Sequence, residues 1–279
     1  MSSFRKIAIE KLSVQIHKQL EKLGLRITSI EKYKKMSELL KYPDAISRWS
    51  NEEIPRELSN FIFRNLSNVN SKAQLQQDLL ALYFAFFNQS SNKYFVEFGA
   101  SNGVEYSNTY LLEKEFGFKG ILCEPARSCI PQLLKNRECV VEFACVWCES
   151  NKYLSFEEQE EVEYSTISGI SPVNKNAKVS NIYEVQTISL NDLLVKHNAP
   201  QKISYLSVDT EGSELEILRS FTFDYYEFDF ISIEHNYRNE REEMRLLLSE
   251  NGYHNILRGV SEFDDWFISD SMAQKHLLR

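Results

Sequence analysis

Residues 94–103 of the chain read Tyr-Phe-Val-Glu-Phe-Gly-Ala-Ser-Asn-Gly, and this stretch decides the fold. It begins as an apolar run with one acid, Glu97, and it breaks at two glycines, Gly99 and Gly103. The residues that follow, 104–116, have the pattern of a helix. This order of strand, glycine turn and helix leaves backbone N–H groups free at a helix start, beside a strand end where α/β proteins bind ligands.

The acid before the first glycine indicates which ligand the turn would bind. The dinucleotide-binding pattern G-x-G-x-x-G is absent, and the glycines instead form G-x-x-x-G. A carboxylate at Glu97 suits an ammonium group better than a pyrophosphate. S-adenosylmethionine carries an ammonium group at its methionine end. The alternative is an ordinary turn between a strand and a helix, with no ligand.

The composition of the chain argues against several classes of partner. The net charge is −8 and the pI is about 5.3, whereas broad nucleic-acid binding requires a basic surface. No run approaches the ~18 apolar residues that span a bilayer, and the N-terminus lacks the apolar core of a signal peptide. We therefore expect a soluble cytoplasmic protein that has no transmembrane segment and does not bind nucleic acid.

The five cysteines lie between positions 123 and 148. Their odd number argues against a disulfide framework. Cys145 and Cys148 have the spacing of a zinc or redox pair, but neither a second such pair nor a pair of histidines accompanies them. We interpret them as structural thiols that bind no zinc.

The first 70 residues differ in pattern from the rest of the chain. Residues 7–20 have the apolar period of an amphipathic helix, and prolines interrupt the short apolar groups that follow. We predict a helical appendage over residues 1–70, through which the chain could form homo-oligomers. Over residues 71–279 strand and helix patterns alternate, which predicts one α/β domain with a mostly parallel sheet and helices on both faces.

The elements of this domain follow from apolar runs, periodicity and turn residues. The predicted helices lie at 71–87 (capped by Ser71), 104–116, 128–136, 190–196, 213–220 and 240–251, and the predicted strands at 94–98, 120–125, 139–147, 185–188, 203–208, 228–235, 253–260 and 266–268. Residues 152–184 depart from this alternation and contain an acidic run at 157–163. Such a segment could form a lid over a site at the sheet edge.

Charged side chains collect where the predicted core strands end, at Glu97, Glu124, Asp209, Glu211, Glu234 and His235. Open α/β sheets bind ligands along the edge formed by the carboxyl ends of their strands, and an acid after the second strand can accept hydrogen bonds from both hydroxyls of a ribose. Because an acid beside a sheet is costly to desolvate, folding alone does not explain this row. For Glu124 the alternative is a surface acid at a strand end.

Short motifs spread over this domain carry a family resemblance. In chain order they are Gln77-Asp78, Phe95–Gly103, Ser107–Thr109, Leu112–Lys114, Gly117–Gly120, Cys123–Pro125 and Val208–Glu214. Together they resemble the FkbM family of S-adenosylmethionine-dependent methyltransferases, and their order and spacing agree from about residue 71 to the C-terminus. Residues 1–70 take no part in the resemblance.

The resemblance implies the class I methyltransferase fold, which has a seven-stranded sheet with its last strand antiparallel. It implies O-methylation, commonly of a sugar hydroxyl in a glycan, nucleotide sugar or natural product. It places Glu97, Gly99, Ser101 and Gly103 at the methionine end of the cofactor, Glu124 at the ribose, and residues 143–145 near the adenine. The other residues it associates with the cofactor are Ala100, Asn102, Ser107, Asn108, Pro125, Ala144 and Asp209. Asn102 stands where many members have an acid.

Methyl transfer to a sugar hydroxyl gains from a base within hydrogen-bond reach, because a hydroxyl is a poor nucleophile. Asp209 and His235 end neighbouring core strands in this fold, and either could serve. We predict that His235 accepts the proton and that Asp209 orients it or the hydroxyl, with Glu211 as a third catalytic candidate. The alternative for His235 is a structural histidine.

The same charged groups could instead hold a divalent metal ion. Asp209, Glu211, Glu234 and His235 offer oxygen and nitrogen ligands that suit Mg²⁺ or Mn²⁺. The metal is not favoured at this point, because Glu211 and Glu214 could simply flank the helix predicted to begin nearby, where negative charge is favourable.

Two other classes of protein stay open. An NAD-linked oxidoreductase would share the fold, but the third glycine of its fingerprint is missing. A non-catalytic protein could keep the cofactor fold as a scaffold. Cofactor binding without methyl transfer to any glycan acceptor would support the scaffold.

Overall fold

The computed structural model describes residues 41–51, 53–88, 92–170, 174 and 176–277. The contacts divide the chain into two units, residues 1–69 and residues 70–279. The amphipathic pattern at 7–20 lies outside the described residues, so the proposed oligomerisation stays a prediction.

The described part of the first unit contains two helices, α1 (Pro43–Trp49) and α2 (Arg56–Asn65). Pro43 stands at the start of α1, where its missing N–H costs no hydrogen bond. Trp49 and Ile62 are fully buried. These helices agree with the helical character predicted for this part of the chain.

The second unit contains eleven strands among its described residues. They are β1 (Tyr94–Phe98), β2 (Lys119–Cys123), β3 (Val140–Glu142), β4 (Cys145–Val146), β5 (Tyr153–Gln159), β6 (Thr166–Ile167), β7 (Val179–Ile188), β8 (Lys202–Val208), β9 (Glu227–Glu234), β10 (Tyr253–Ile256) and β11 (Asp264–Ser269). Its helices are α3 (Gln77–Asn88), α4 (Tyr110–Phe116), α5 (Ile130–Asn136), α6 (Leu190–Lys196), α7 (Glu214–Arg219), α8 (Arg241–Glu250) and α9 (Asp270–Leu277).

The main sheet has seven strands in the order β10-β11-β9-β8-β1-β2-β3. Strands β3, β2, β1, β8 and β9 run parallel, whereas β11 pairs antiparallel with both β9 and β10. The predicted mostly parallel sheet with one reversed strand is therefore confirmed. The strand order changes direction between β1 and β8, and ligands bind at such a point in open α/β sheets.

The core of the sheet lies in β1, β8 and β9, whose apolar side chains are buried on both faces. Tyr205 stacks on Phe230 with ring centres 5.1 Å apart, and Phe84 of α3 contacts Phe230 at 5.3 Å. Such two-sided burial is typical of parallel strands covered by helices. Each large apolar side chain buried there contributes about 1.5–3 kcal/mol. Within the described ranges no helix has the length and apolar character needed to cross a membrane.

The prediction of one continuous strand at 139–147 is wrong. Strand β3 stays in the main sheet, whereas β4 joins a second sheet of order β4-β7-β5-β6. The chain turns after Glu142, whose carboxylate accepts from the Ala144 N–H at 3.2 Å and from Lys196 Nζ at 2.6 Å. The segment expected to form a lid is this second sheet, because 153–159 pairs with 179–188.

Two predicted helices begin later than expected, at Tyr110 and at Gln77. Side chains take the backbone donors that a longer helix would need. Asn102 Oδ1 accepts from the N–H groups of residues 104 and 105, and Glu97 accepts from the N–H of Asn108. Helix α3 begins at Gln77, well after Ser71, so Ser71 does not cap it. The carboxylate of Asp78 accepts from the Lys72 N–H at 3.0 Å.

Candidate functional site

A cleft of about 310 Å³ lies at the carboxyl ends of β1, β2, β8 and β9. Small-molecule sites commonly span about 300–1,000 Å³. The strand ends and the turns after them contribute Glu97, Phe98, Gly99, Ser101, Asn108, Glu124, Pro125, Asp209, Thr210, Glu211, Ser213 and Glu234. The second sheet and its loops contribute Cys145, Val146, Phe156, Val162, Glu163, Tyr164, Ser165 and Ile167.

The turn after β1 requires glycine at position 99. Gly99 has a φ of +71°, and a Cβ there would lie 2.1 Å from the carbonyl oxygen of Asp209. The Gly99 N–H donates to the carbonyl of Cys123 at 3.1 Å. The glycine therefore lets the ends of β1, β2 and β8 approach one another closely.

Glu97 is buried at the end of β1 and organises the chain that follows. Its Oε1 accepts from the Asn108 N–H at 2.7 Å, and its Oε2 accepts from Ser107 Oγ at 3.1 Å and from Thr109 Oγ1. Arg137 Nη1 lies 3.7 Å from Oε2. Burial raises the pKa of Glu97, while Arg137 and the hydrogen bonds oppose this rise. One acceptor position of Oε1 stays uncommitted toward the described protein groups.

Asn108 presents an unsatisfied oxygen at the cleft. Its Nδ2 donates to Ser207 Oγ at 2.9 Å, and its backbone N–H donates to Glu97. The buried Oδ1 has no hydrogen-bond partner within the described ranges. A buried acceptor of this kind is costly unless a ligand supplies a donor.

Glu124 is held at the end of β2 by two backbone donors. Its Oε2 accepts from the Ser101 N–H at 2.6 Å, and its Oε1 accepts from the Ala126 N–H at 2.7 Å. Each carboxylate oxygen retains a second acceptor position. Burial raises the pKa of Glu124 to about 7. The side chain is 6% exposed and lines the cleft, so it is not a surface acid.

Only one of the three residues that the sequence assigned to the adenine, residues 143–145, lines the apolar side of the cleft. Cys145 lines the cleft together with Val146 and Phe156, whereas Phe143 is 44% exposed and Ala144 is not part of the lining. Burial raises the pKa of Cys145 to about 12, so it is a neutral thiol at pH 7. Phe156 comes from the second sheet, which no motif in the sequence indicated.

Three acids form a cluster at the ends of β8 and β9. Asp209, Glu211 and Glu234 each place one carboxylate oxygen within 4.8 Å of the others. Burial, followed by repulsion from neighbouring acids, raises the pKa of Glu211 to about 9 and that of Glu234 to about 12. Burial likewise raises the pKa of Asp209 to about 7. The buried Oε2 of Glu211 has no hydrogen-bond partner in the described part of the chain.

The turn that carries Glu211 is stabilised by its neighbour Glu214. Oε1 of Glu214 accepts from the Thr210 N–H and Thr210 Oγ1 at 2.9 Å each, and from the Gly212 N–H at 3.0 Å. Glu211 makes no such bond with its carboxylate, and its backbone carbonyl accepts from Thr166 Oγ1 at 3.1 Å. Glu214 therefore has the structural role that the sequence left open for both acids.

His235 is placed differently from the prediction. The side chain is fully buried, its Nδ1 accepts from the Tyr237 N–H at 2.9 Å, and its Nε2 donates to the carbonyl of Asp264 at 3.0 Å. Burial lowers the pKa of His235. Both ring nitrogens are committed to the main chain and the residue does not line the cleft, so this geometry does not favour the predicted roles of base and metal ligand.

Several residues expected at the cofactor support the turn without lining the cleft. A Cβ at Gly103 would lie 2.6 Å from Leu133 and 2.7 Å from Arg137, so this glycine serves packing. Ser107 Oγ accepts from the N–H of Tyr110 at 3.1 Å. Ala100 and Asn102 are likewise not part of the lining, whereas Ser101 and Pro125 are.

The sequence missed residues on the loops around the cleft. Tyr106 lines it, is 58% exposed and has a φ of +59°, which is unusual for a bulky residue. Asn236 and Phe263 also line it. The aromatic residue at 106 within a polar turn was the one available signal.

The sheet order, the single reversed strand and a cleft with an acid at the end of each of its first two strands define a class I methyltransferase fold. The sequence profile of the Methyltransferase FkbM domain matches residues 97–254. The match covers more than half of the chain, and the chain belongs to the FkbM methyltransferase family. No curated protein matches it.

Solved structures similar to this chain share little sequence with it. Methyltransferase FkbM from Methylobacillus flagellatus KT is 13% identical, with a TM-score of 0.38 over 74% of this chain and 59% of that chain. A fibrillarin/Nop5p complex is 11% identical, with a TM-score of 0.35 over 72% and 82%. The plantazolicin methyltransferase BpumL in complex with SAH is 10% identical, with a TM-score of 0.34 over 87% and 100%. The chain thus spans 59% of the length of the Methylobacillus protein.

Proposed function

We propose that this protein is an S-adenosylmethionine-dependent O-methyltransferase whose acceptor is a sugar hydroxyl of a glycan, nucleotide sugar or natural product. Membership of the FkbM family supports methyl transfer. The observation that carries the cofactor assignment is the unpaired Oδ1 of Asn108, which shares one cleft with the two open acceptor positions of Glu124.

The lining residues fit the three parts of the cofactor. Asn108 Oδ1 can accept from the ammonium group of the methionine end, with the free position of Glu97 Oε1 beside it in the lining. Glu124 can accept from two ribose hydroxyls while keeping its bonds to the backbone. Val146 and Phe156 offer an apolar surface to the adenine.

The protein's own contribution to the reaction is positioning. The bound sulfonium supplies an already activated methyl group, so transfer mainly requires two centres held close and in line. The turns at Gly99 and Asp209 touch, which sets the cofactor end of the cleft against the acid cluster. Because His235 is committed to the main chain, a carboxylate of the cluster takes its place next to the acceptor hydroxyl.

The acceptor class rests on the polar character of the cleft beyond the cofactor residues. Asp209, Glu211 and Glu234 can accept hydrogen bonds from sugar hydroxyls, as carboxylates do. Tyr106 and Tyr164 line the same cleft and offer aromatic faces for a sugar ring. These groups support a polyhydroxylated acceptor over an apolar one.

Calorimetric titration with S-adenosylmethionine tests the cofactor assignment. Glu124→Gln should lower the affinity by about 10- to 150-fold, since a hydrogen bond to a charged group contributes about 1.5–3 kcal/mol. Glu138→Gln is the matched control, because Glu138 lies on the surface with its side chain 91% exposed. Wild-type affinity in folded Glu124→Gln would reject the ribose role.

Transfer of a labelled methyl group to a panel of nucleotide sugars and oligosaccharides tests the reaction. Labelled product with at least one sugar acceptor supports the O-methyltransferase. Tight cofactor binding with no transfer to any member of the panel would instead support a scaffold. Binding of NAD in place of S-adenosylmethionine would support the oxidoreductase.

A further inference from the structure

We propose that Asp209, Glu211 and Glu234 bind one divalent cation, Mg²⁺ or Mn²⁺, which holds the acceptor hydroxyl beside the methyl donor. The proposal rests on the proposed function for the identity of the acceptor. The cation site itself rests on the positions of the three carboxylates and on the buried Oε2 of Glu211, which has no hydrogen-bond partner within the described ranges.

The spacing of the three carboxylates fits a single ion. One oxygen from each lies within 4.8 Å of the others. An ion that binds oxygen ligands at about 2.0–2.6 Å brings neighbouring ligand atoms to separations of this size or less. Glu234 is the last residue of β9, and Asp209 and Glu211 lie in the turn that follows the neighbouring parallel strand β8.

The orphaned oxygen of Glu211 points to a missing partner. The residue is 7% exposed, and its buried Oε2 has no hydrogen-bond partner within the described ranges. Buried carboxylate oxygens are otherwise paired, because their desolvation is costly. Glu211 lines the cleft, so a cation bound there would supply this oxygen with a partner.

Further charged side chains lie beside the cluster. Glu163 and Glu214 are close enough to Glu211 to repel its carboxylate, whereas Arg238 attracts it. The Nη2 of Arg238 donates to the backbone carbonyl of Glu211 at 3.2 Å. A divalent cation would add positive charge among these acids.

The chemistry of the donors selects the type of cation. The candidate ligands are carboxylate oxygens, which suit hard cations such as Mg²⁺ and Mn²⁺. The buried histidine at 235, which would have favoured a softer metal, is committed to the main chain. Glu211 is held toward this site by its backbone, whose carbonyl accepts from Thr166 Oγ1 in the second sheet.

The cation would assist transfer by holding and polarising the acceptor hydroxyl. An O–C bond forms while the S–C bond of the methyl donor breaks, and the electron pair of that bond stays on sulfur. The hydroxyl proton leaves to solvent through the open side of the cleft. No further reactant is required.

Titration of Mn²⁺ into EDTA-treated, dialysed full-length protein tests the site, with free Mn²⁺ measured by electron paramagnetic resonance. We expect one Mn²⁺ per chain, and at least a tenfold lower affinity in Glu211→Gln. Glu160→Gln is the matched control: Glu160 lies in the acidic segment 157–163, and its exposed side chain is outside the cluster. The control should bind Mn²⁺ as the wild type does.

Wild-type Mn²⁺ affinity in Glu211→Gln, or an equal loss in Glu160→Gln, would overturn the proposal, as would a wild-type protein that binds no Mn²⁺ at millimolar concentration. Titration of S-adenosylmethionine into the same metal-free samples separates the two proposals. Cofactor binding without Mn²⁺ binding rejects the cation site alone. Mn²⁺ binding by a wild-type protein that binds no S-adenosylmethionine, with or without Mn²⁺, rejects the cofactor assignment alone.

Discussion

The two halves of the sheet edge differ in how the carboxylates of their buried acids are hydrogen-bonded. At the ends of β1 and β2, every carboxylate oxygen of Glu97 and Glu124 accepts a hydrogen bond from the protein. At the ends of β8 and β9, three acids crowd within 4.8 Å and the Oε2 of Glu211 has no partner in the described part of the chain. The first half is a cradle held by the protein's own hydrogen bonds, whereas in the second half we propose that a bound cation supplies the missing partner.

The comparison predicts the largest loss of stability at Glu97. Replacement by alanine leaves three donors and the fully buried guanidinium of Arg137 without this carboxylate, so Glu97→Ala should lower the free energy of unfolding by about 3 kcal/mol. Urea denaturation measures the change, with the exposed Glu138→Ala as control. A loss below about 1 kcal/mol would show that the cradle is not held by Glu97.

For Glu124, the comparison predicts that the affinity for the cofactor depends on pH. Burial raises the pKa of Glu124 to about 7, so the carboxylate gains a proton as the pH falls through 7 and loses an acceptor position. The wild-type affinity for S-adenosylmethionine should therefore be constant above pH 8 and fall by up to about tenfold per pH unit below 7. Calorimetry from pH 5.5 to 8.5 should show no such fall in Glu124→Gln. The same slope in the variant would assign the titration to another group.

A smaller effect is expected at Asn108, whose side chain belongs to the cradle but whose Oδ1 has no hydrogen-bond partner within the described ranges. Asn108→Ala should weaken cofactor binding by about tenfold, which corresponds to about 1.5 kcal/mol, the lower end of the range for a hydrogen bond to a charged group. Asn102→Ala removes an amide from the same turn at a position outside the lining and serves as the comparison. Equal effects in both variants would mean that Asn108 acts only through the shape of the turn.

The smallest change is expected in the stability of Glu211→Gln. The substitution removes a carboxylate from a crowded cluster, and its Oε2 accepts no hydrogen bond within the described ranges. The free energy of unfolding in metal-free buffer should therefore stay within about 1 kcal/mol of wild type or rise. Thermal denaturation in EDTA measures it. A loss of 2 kcal/mol or more would place Glu211 with the structural acids of the first half.

Several parts of the fold and site could be predicted from local patterns. The helix at 190–196 and the core strands β1, β8 and β9 agree with prediction to within one residue at each end. Parallel strands buried on both faces give continuous apolar runs, and the acid after each run marks the carboxyl edge. For this reason the sequence already indicated Glu97, Glu124, Asp209 and Glu211, which line the cleft.

The errors arose where long-range contacts override local pattern. The helix expected from residue 104 is delayed to Tyr110 because Glu97 and Asn102 capture backbone donors. The acidic run at 157–163 does not read as a strand, yet β5 extends through residue 159 and pairs with β7, and this second sheet brings Phe156 into the lining.

Local sequence patterns were enough to predict the alternation of strands and helices, the family resemblance and the row of acids, because hydrophobic period and strand ends are local properties. Which charged groups face the cleft depends on the tertiary structure. Glu234 and His235 are neighbours in the chain, yet Glu234 lines the cleft and His235 is hydrogen-bonded to the main chain through both ring nitrogens. Successive side chains leave a strand on opposite sides, and the packing of β11 against β9 settles which of them lines the cleft.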